Sequence, residues 1–147
     1  MKITIRPAME ADFDSLIDLF SEFALFEKLP EKMTNTTEQM KLEKEYFNCF
    51  VAETDKREIV GYVTWFFAYY TWTGKSIYMN DLYVKPAYRG HGIGTKLISK
   101  VIETARQTRC NKLRWQVSSW NQPAIEFYKS LGASIDSTEQ NCDLILM

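Results

Sequence analysis

From Asn80 to Thr95 the chain reads Asn-Asp-Leu-Tyr-Val-Lys-Pro-Ala-Tyr-Arg-Gly-His-Gly-Ile-Gly-Thr. A strand-like run ends at Val84, and Pro86, Gly90, Gly92 and Gly94 prevent its continuation. Leu97, Ile98, Val101, Ile102 and Ala105 then recur at helical spacing. A glycine-rich turn that opens a helix offers free backbone N–H groups and the positive end of the helix dipole, so it suits an anion. Glycines let the backbone approach that anion with no side chain in the way. Two common phosphate cradles do not fit. A P-loop needs G-x-x-x-x-G-K-[ST], and glycines at 90, 92 and 94 do not make a G-x-G-x-x-G dinucleotide fingerprint. His91 is the sole histidine and has no Ser/Asp or Cys pattern around it, so it reads as a loop residue and not as part of a hydrolytic triad.

The elements that must position this loop follow from periodicity. Lys2 to Arg6 alternates as a strand, and Phe13, Leu16, Ile17, Phe20, Phe23 and Ala24 mark a helix. Thr36 and Gln39 have capping-box spacing for a second helix to about Phe47. Cys49–Glu53 and Ile59–Tyr70 read as an antiparallel hairpin across the polar turn 55–58, and Ser76–Val84 as a further strand. Past the glycine loop and its helix come a strand over 113–117, a helix over 121–131 with Pro123 in its first turn, and a closing strand over 142–146. A further strand is expected around 133–137. Hairpins first and helical crossovers later predict an α/β (α+β) domain with a mixed sheet and helices on both faces.

At 147 residues the chain is read as a single domain, 1–147, able to bury a core without a disulfide or metal staple. Its net charge of −1 argues against nucleic-acid binding by bulk charge, and no apolar run approaches the length of a membrane span. Three cysteines with no metal-ligand spacing, and no secretory leader, read as reduced thiols of a cytoplasmic protein without a metal. Aromatic residues are 14% of the chain and bunch between Trp65 and Trp72. Strand alternation sends that bunch to both faces, one set for the core and the other for an acceptor wall or a dimer contact.

Arg89-x-x-Gly92-x-Gly94 resembles the R/Q-x-x-G-x-G/A signature of the GCN5-related N-acetyltransferases (GNAT). Asn121-x-x-Ala124-x-x-Phe127-Tyr128-x-x-x-Gly132-Ala133 resembles the family's second segment, in the expected order. The likeness covers nearly the whole chain. Phe26-Glu27, the passages 69–75 and 88–95, and Trp120-Asn121 look most like the diamine (spermidine/spermine) acetyltransferase branch. The resemblance implies a mostly antiparallel sheet splayed where acetyl-CoA, the co-substrate, inserts. It implies that the backbone of Leu82, Tyr83 and Val84 holds the pantetheine arm. Arg89, Gly90, His91, Gly92, Ile93, Gly94 and Thr95 would surround the pyrophosphate, and Asn121 and Ala124 would line the arm. Tyr128 matches the general acid that protonates the leaving thiolate, a task suited to a hydroxyl that stays protonated at pH 7.

The resemblance also implies an acceptor side formed by Phe26, Glu27, Tyr70, Trp72, Asn80 and Asp81, and Gln116 alternates with Arg114 on a strand beside it. Two positions depart from the diamine branch. A glutamate that serves as base is Asn80 here, and an aspartate in the aromatic hairpin is Tyr70. Glu27 or a water relay is the remaining route for the proton, and alternation points Asp81 away from residue 80. The expected reaction is direct acetyl transfer to a small-molecule primary amine, polyamine-like or amino-acid-like, in a homodimer. The alternatives are a protein or peptide acetyltransferase and a non-catalytic acetyl-CoA-binding module.

Overall fold

A computed structural model describes residues 2–147. Contacts divide the chain into two compact units, one ending at Gln116 and the other spanning Val117–Met147. The first unit is built on a five-stranded sheet in the order β1-β2-β3-β4-β5. Its strands are β1 (Ile3–Pro7), β2 (Asn48–Thr54), β3 (Ile59–Tyr70), β4 (Gly74–Val84) and β5 (Leu113–Arg114). The first four pair antiparallel, and β5 joins β4 in parallel. The mixed, mostly antiparallel sheet is the expected fold class.

Helices cover both faces of this sheet. Helix α1 (Phe13–Phe26) and the short α2 (Thr37–Leu42) lie on one face. There Phe13, Leu16, Leu19 and Met40 form one buried cluster with Cys49, Val51, Ile59, Tyr62 and Tyr83. Phe20 meets the Tyr62 ring edge-on at 4.9 Å, and Phe23 stacks on Tyr83 at 5.3 Å. Helix α3 (Ile93–Gln107) covers the other face with Leu97, Ile98 and Val101 fully buried. It sits close because Gly61 has no side chain. A Cβ there would lie 3.0 Å from the Tyr83 carbonyl oxygen and 3.4 Å from Leu97 Cδ1.

Helix α2 ends at Leu42 and a 3-10 turn replaces its expected last turn. The Thr36 hydroxyl does cap it, accepting from the Gln39 N–H at 3.1 Å. Of the aromatic bunch, Trp65 is buried and stacks on Phe50, whereas Phe66, Phe67, Tyr69 and Trp72 are exposed. Alternation alone would have packed every second ring, but no ring beyond Trp65 on β3 is buried.

In the second unit, α4 (Gln122–Ser130) begins where expected, with Asn121 as N-cap and Pro123 in the first turn. The strands expected at 133–137 and 142–146 do not form, and residues 133–147 carry no helix or strand. Alternating apolar residues supply a face for a sheet but not a partner strand, and a strand is not stable without one.

Candidate active site

The glycine loop adopts the geometry that an anion site requires. Gly90 and Gly92 have φ of 82° and 78°, in the left-handed region open to glycine at little cost. Gly92 is the N-cap of α3, and the first bond of that helix runs from the Lys96 N–H to the Gly92 carbonyl at 3.0 Å. The N–H groups of Ile93, Gly94 and Thr95 precede that bond, and no side chain caps the helix start. An uncapped N-terminus of a 15-residue helix behind two left-handed glycines fits a pyrophosphate. Ile93 is 2% exposed and anchors the first turn, while His91 and Thr95 face solvent.

The strand leading into the loop also fits an extended ligand arm. Strand β5 pairs with β4 only at Ile77↔Leu113 and Tyr78↔Arg114. From Met79 to Val84, β4 has no strand on that edge among the described residues. Backbone groups of successive strand residues turn to opposite edges, and the Tyr83 carbonyl lies against Gly61 of β3, so Leu82 is the residue placed to pair with an amide-bearing chain, as a further strand would. The Val84 carbonyl already accepts the Arg89 Nε at 2.8 Å. The Arg89 guanidinium also lies over the rings of Phe26 and Tyr83, at 5.1 and 5.4 Å. Arg89 thus fastens the loop to the end of α1 and to β4.

A β-bulge sets the chemistry of the adjoining face. Thr64 pairs with Asp81 and Trp65 with Met79, so Asn80 is inserted without a partner. Partners across a ladder share a face. Met79 therefore lies with Trp65 on the α3 side, and Asp81 lies with Tyr62 and Tyr83 on the α1 side. The expectation of unbroken alternation around residue 80 fails here, because an extra residue resets the period. Asp81 Oδ2 accepts from the Tyr62 hydroxyl at 3.4 Å. Desolvation pushes the Asp81 carboxyl up to about 6, against the stabilising Tyr62 hydrogen bond, and the charge of Glu27 pushes it further in the same direction. Burial, with the charge of Asp81 next, raises Tyr62 well above its ordinary value. Tyr83 is raised by burial and by Glu22, whose carboxylate accepts from its hydroxyl at 3.2 Å.

The structure therefore gathers Glu27 and Asp81 on one side of the sheet, with Phe26 joined to Tyr83 through Arg89. It does not bring Tyr70 and Trp72 there. Tyr70 pairs with Gly74, six positions along β3 from the Thr64–Asp81 pair, about 20 Å along the strand. Its ring is covered by Lys112 and Arg114 at 4.6 and 4.5 Å, and Trp72 is 98% exposed at the hairpin turn. Asn80 is exposed in the bulge, and Gln116 is exposed two residues beyond β5. In the second unit, Asn121 Oδ1 accepts from the Ala124 N–H at 3.4 Å, so this side chain caps α4. Tyr128 is 8% exposed, with the Phe127 ring at 5.4 Å. Tyr62, Thr64 and Glu22 were not marked by the sequence. The signal available was the polar pair Asn80-Asp81 inside an otherwise apolar strand, which is where a bulge belongs.

Comparison with known proteins agrees with this geometry. Residues 13–133 match the Acetyltransferase (GNAT) family. The chain is 40% identical to the thialysine N-epsilon-acetyltransferase of Sus scrofa, over 93% of this chain and 86% of that protein. It is 32% identical to the spermidine/spermine N(1)-acetyltransferase-like protein 1 of Homo sapiens, over 95% of this chain but 22% of that protein. A crystal structure of an aminoglycoside acetyltransferase, HMB0005, from an uncultured soil metagenomic sample shares the fold. Its TM-score is 0.79 at 22% identity, over 99% of this chain and 100% of that one. With the family matched across most of its length, and with the glycine loop and open β4 edge in place, the chain belongs to the GNAT acetyltransferases.

Proposed function

We propose that this acetyltransferase acetylates the side-chain amine of an amino-acid-like small molecule, with thialysine as the type acceptor. The observation that carries this reading is the acid count at the acceptor side. Glu27 and Asp81 are the carboxylates that interact there, Glu22 is taken up by the Tyr83 hydroxyl, and the neighbouring position that would add another is Asn80. Two carboxyls, one of them pushed up to about 6, suit a single ammonium better than a polycation. The 40% identity to a thialysine acetyltransferase supports the same choice.

Acetyltransferases of this family use acetyl-CoA, which supplies the acetyl group as a thioester. In the proposed site the backbone of Leu82, Tyr83 and Val84 and the N–H groups from Gly90 to Thr95 hold it, including those of His91 and Ile93. Arg89 holds the loop, and Asn121 and Ala124 complete the arm's contacts. Tyr128 donates the proton to the departing sulfur, and Phe26, Glu27 and Asp81 bind the acceptor. The family match runs through both compact units, which supports their acting as one domain. The exposed rings of Phe66, Phe67 and Tyr69 support a homodimer. The cysteines at 49, 110 and 142 are unpaired, which supports a reducing, cytoplasmic setting. No described helix is long and apolar enough to cross a membrane.

Thiol release from acetyl-CoA with thialysine, lysine, ornithine, putrescine, spermidine and a lysine peptide tests the acceptor. Thialysine should exceed spermidine in kcat/KM by about tenfold or more, a difference of ~1.4 kcal/mol. A preference for spermidine or for the peptide overturns the reading. Tyr128→Phe should lose about 10²–10⁴ in kcat.

A further inference from the structure

The geometry points to Asp81, turned onto the α1 face by the Asn80 bulge, as the proton acceptor of the reaction, with Tyr62 as its positioning residue. This inference rests on the acetyltransferase reading and deepens it. Converting an ammonium nitrogen to an amide nitrogen removes two protons. One leaves on the thiol sulfur, and the other needs a base. An ammonium resembling that of lysine, with a reference pKa of about 10.4, is almost wholly charged at pH 7. The carboxylate of Asp81 takes one proton, becoming the carboxylic acid and leaving a neutral amine. It returns that proton to solvent before the next turnover.

Three independent features of the structure converge on this residue. The bulge gives Asp81 a face that regular alternation would deny it, since Met79 on the same strand occupies the opposite one. The Tyr62 hydroxyl, on a fully buried side chain, fixes one carboxylate oxygen at 3.4 Å. Directly across the ladder from Asp81, the Thr64 hydroxyl is buried with no hydrogen-bond partner among the described residues. Thr64 is only 7% exposed, and a buried orphan hydroxyl is costly unless a ligand or water completes it. Such a group beside the carboxylate marks the place where an ammonium, or the water that relays its proton, is held.

The groups that act on Asp81 come from several elements. Tyr62 on β3 and Glu27 after α1 act on its carboxyl, and its own charge in turn raises Cys49 on β2 and Tyr78 on β4. Tyr83 lies next along β4 on the same face and pairs with Glu22 of α1. Among these no cation offsets the carboxylate. Burial and the charge of Glu27 both disfavour ionisation, which makes the carboxylate a stronger base, and the Tyr62 hydroxyl moderates that trend.

The test is the pH profile of kcat/KM, measured with whichever amine of the panel reacts fastest, so that an error in the acceptor does not reach it. The wild type should lose activity as pH falls through about 6, where Asp81 takes up its proton. Asp81→Asn should fold, because it removes a buried charge next to Glu27, and should bind acetyl-CoA with unchanged affinity. Its kcat/KM at pH 7 should fall about 100-fold or more, and its residual rate should climb about tenfold per pH unit without a plateau. Tyr62→Phe removes the hydrogen bond that favours the carboxylate, so its acid limb should move above the wild-type position. A wild-type rate at pH 7 in Asp81→Asn, or an acid limb that survives in that variant, overturns the assignment of the base. A folded Tyr62→Phe enzyme with an unmoved limb overturns the positioning role.

Discussion

Replacing Gly92 with alanine separates the two tasks given to the glycine loop. Gly92 has φ of 78° and caps α3, and a Cβ built there meets nothing within 4 Å. Steric conflict with neighbours is therefore absent, and the whole cost is conformational. A left-handed non-glycine residue costs about 1–2 kcal/mol. If alanine stays in that conformation, unfolding free energy falls by this amount, about 2–8 °C in Tm for a domain of this size. If the backbone relaxes instead, the N–H groups of Ile93, Gly94 and Thr95 turn from their common direction, and CoA affinity falls by up to about tenfold for each 1.4 kcal/mol. The two losses should together account for about 1–2 kcal/mol. Gly94 provides the control. Its φ lies outside the left-handed region, and an added Cβ would make an ordinary 4.0 Å contact with Val84 Cγ2. Gly94→Ala sits inside α3 and should stabilise by about 0.5–1 kcal/mol. Denaturant melts and calorimetric titration with CoA measure both variants. A Gly92→Ala protein with wild-type stability and wild-type CoA affinity would refute the reasoning, as would two variants that shift stability in the same direction.

Gly61→Ala should cost about 1–3 kcal/mol in denaturant melts, because its Cβ would press at 3.0 Å on the Tyr83 backbone oxygen, which cannot swing away. Asp12 accepts from both Arg6 terminal nitrogens at 2.8 and 2.9 Å and from the Met9 N–H at 2.7 Å. Arg6 holds the Asp12 carboxyl below the usual range, so its stabilisation is present above the unfolded value near 3.9 and is lost as pH falls through the depressed folded value. Asp12→Asn should cost about 2–3 kcal/mol at pH 7 and flatten the stability profile below about pH 4, read by melts across that window. Arg89→Ala removes the bond to Val84 and the ring contacts, so CoA affinity should fall about 5–30-fold in calorimetry. Arg89→Lys should not restore it, because an ammonium lacks the planar fork.

Particular residues show how far sequence reading carries. Ile59–Tyr70 forms the strand that its composition implies, and Thr36 and Asn121 cap the helices they were expected to start. These are local properties, fixed by period and by hydrogen bonds over three or four residues. The glycine loop was legible for the same reason, since positive φ and a helix start are written in neighbouring residues. The strands expected at 133–137 and 142–146 failed because pairing is not local. The bulge was hidden because it depends on how β3 and β4 are registered, which places Asn80 opposite no residue. Arg89 as a fastener of Phe26, Tyr83 and Val84 was also out of reach, since α1, β4 and the loop meet only in the folded chain.

The bulge and the open edge of β4 are close enough to act together. Strand β5 leaves β4 after Tyr78, and the inserted residue is Asn80, two positions or about 7 Å further on. The stretch of β4 without a β5 partner is therefore also the stretch whose side chains have changed face. A regular β4 with the same exposed edge would still offer backbone groups to a thioester arm, but its residue 81 would face α3 and be walled off from Glu27. A bulge deeper in the sheet would turn a carboxylate toward the α1 face with no open edge beside it. Only their coincidence sets the proposed base against the proposed cofactor edge.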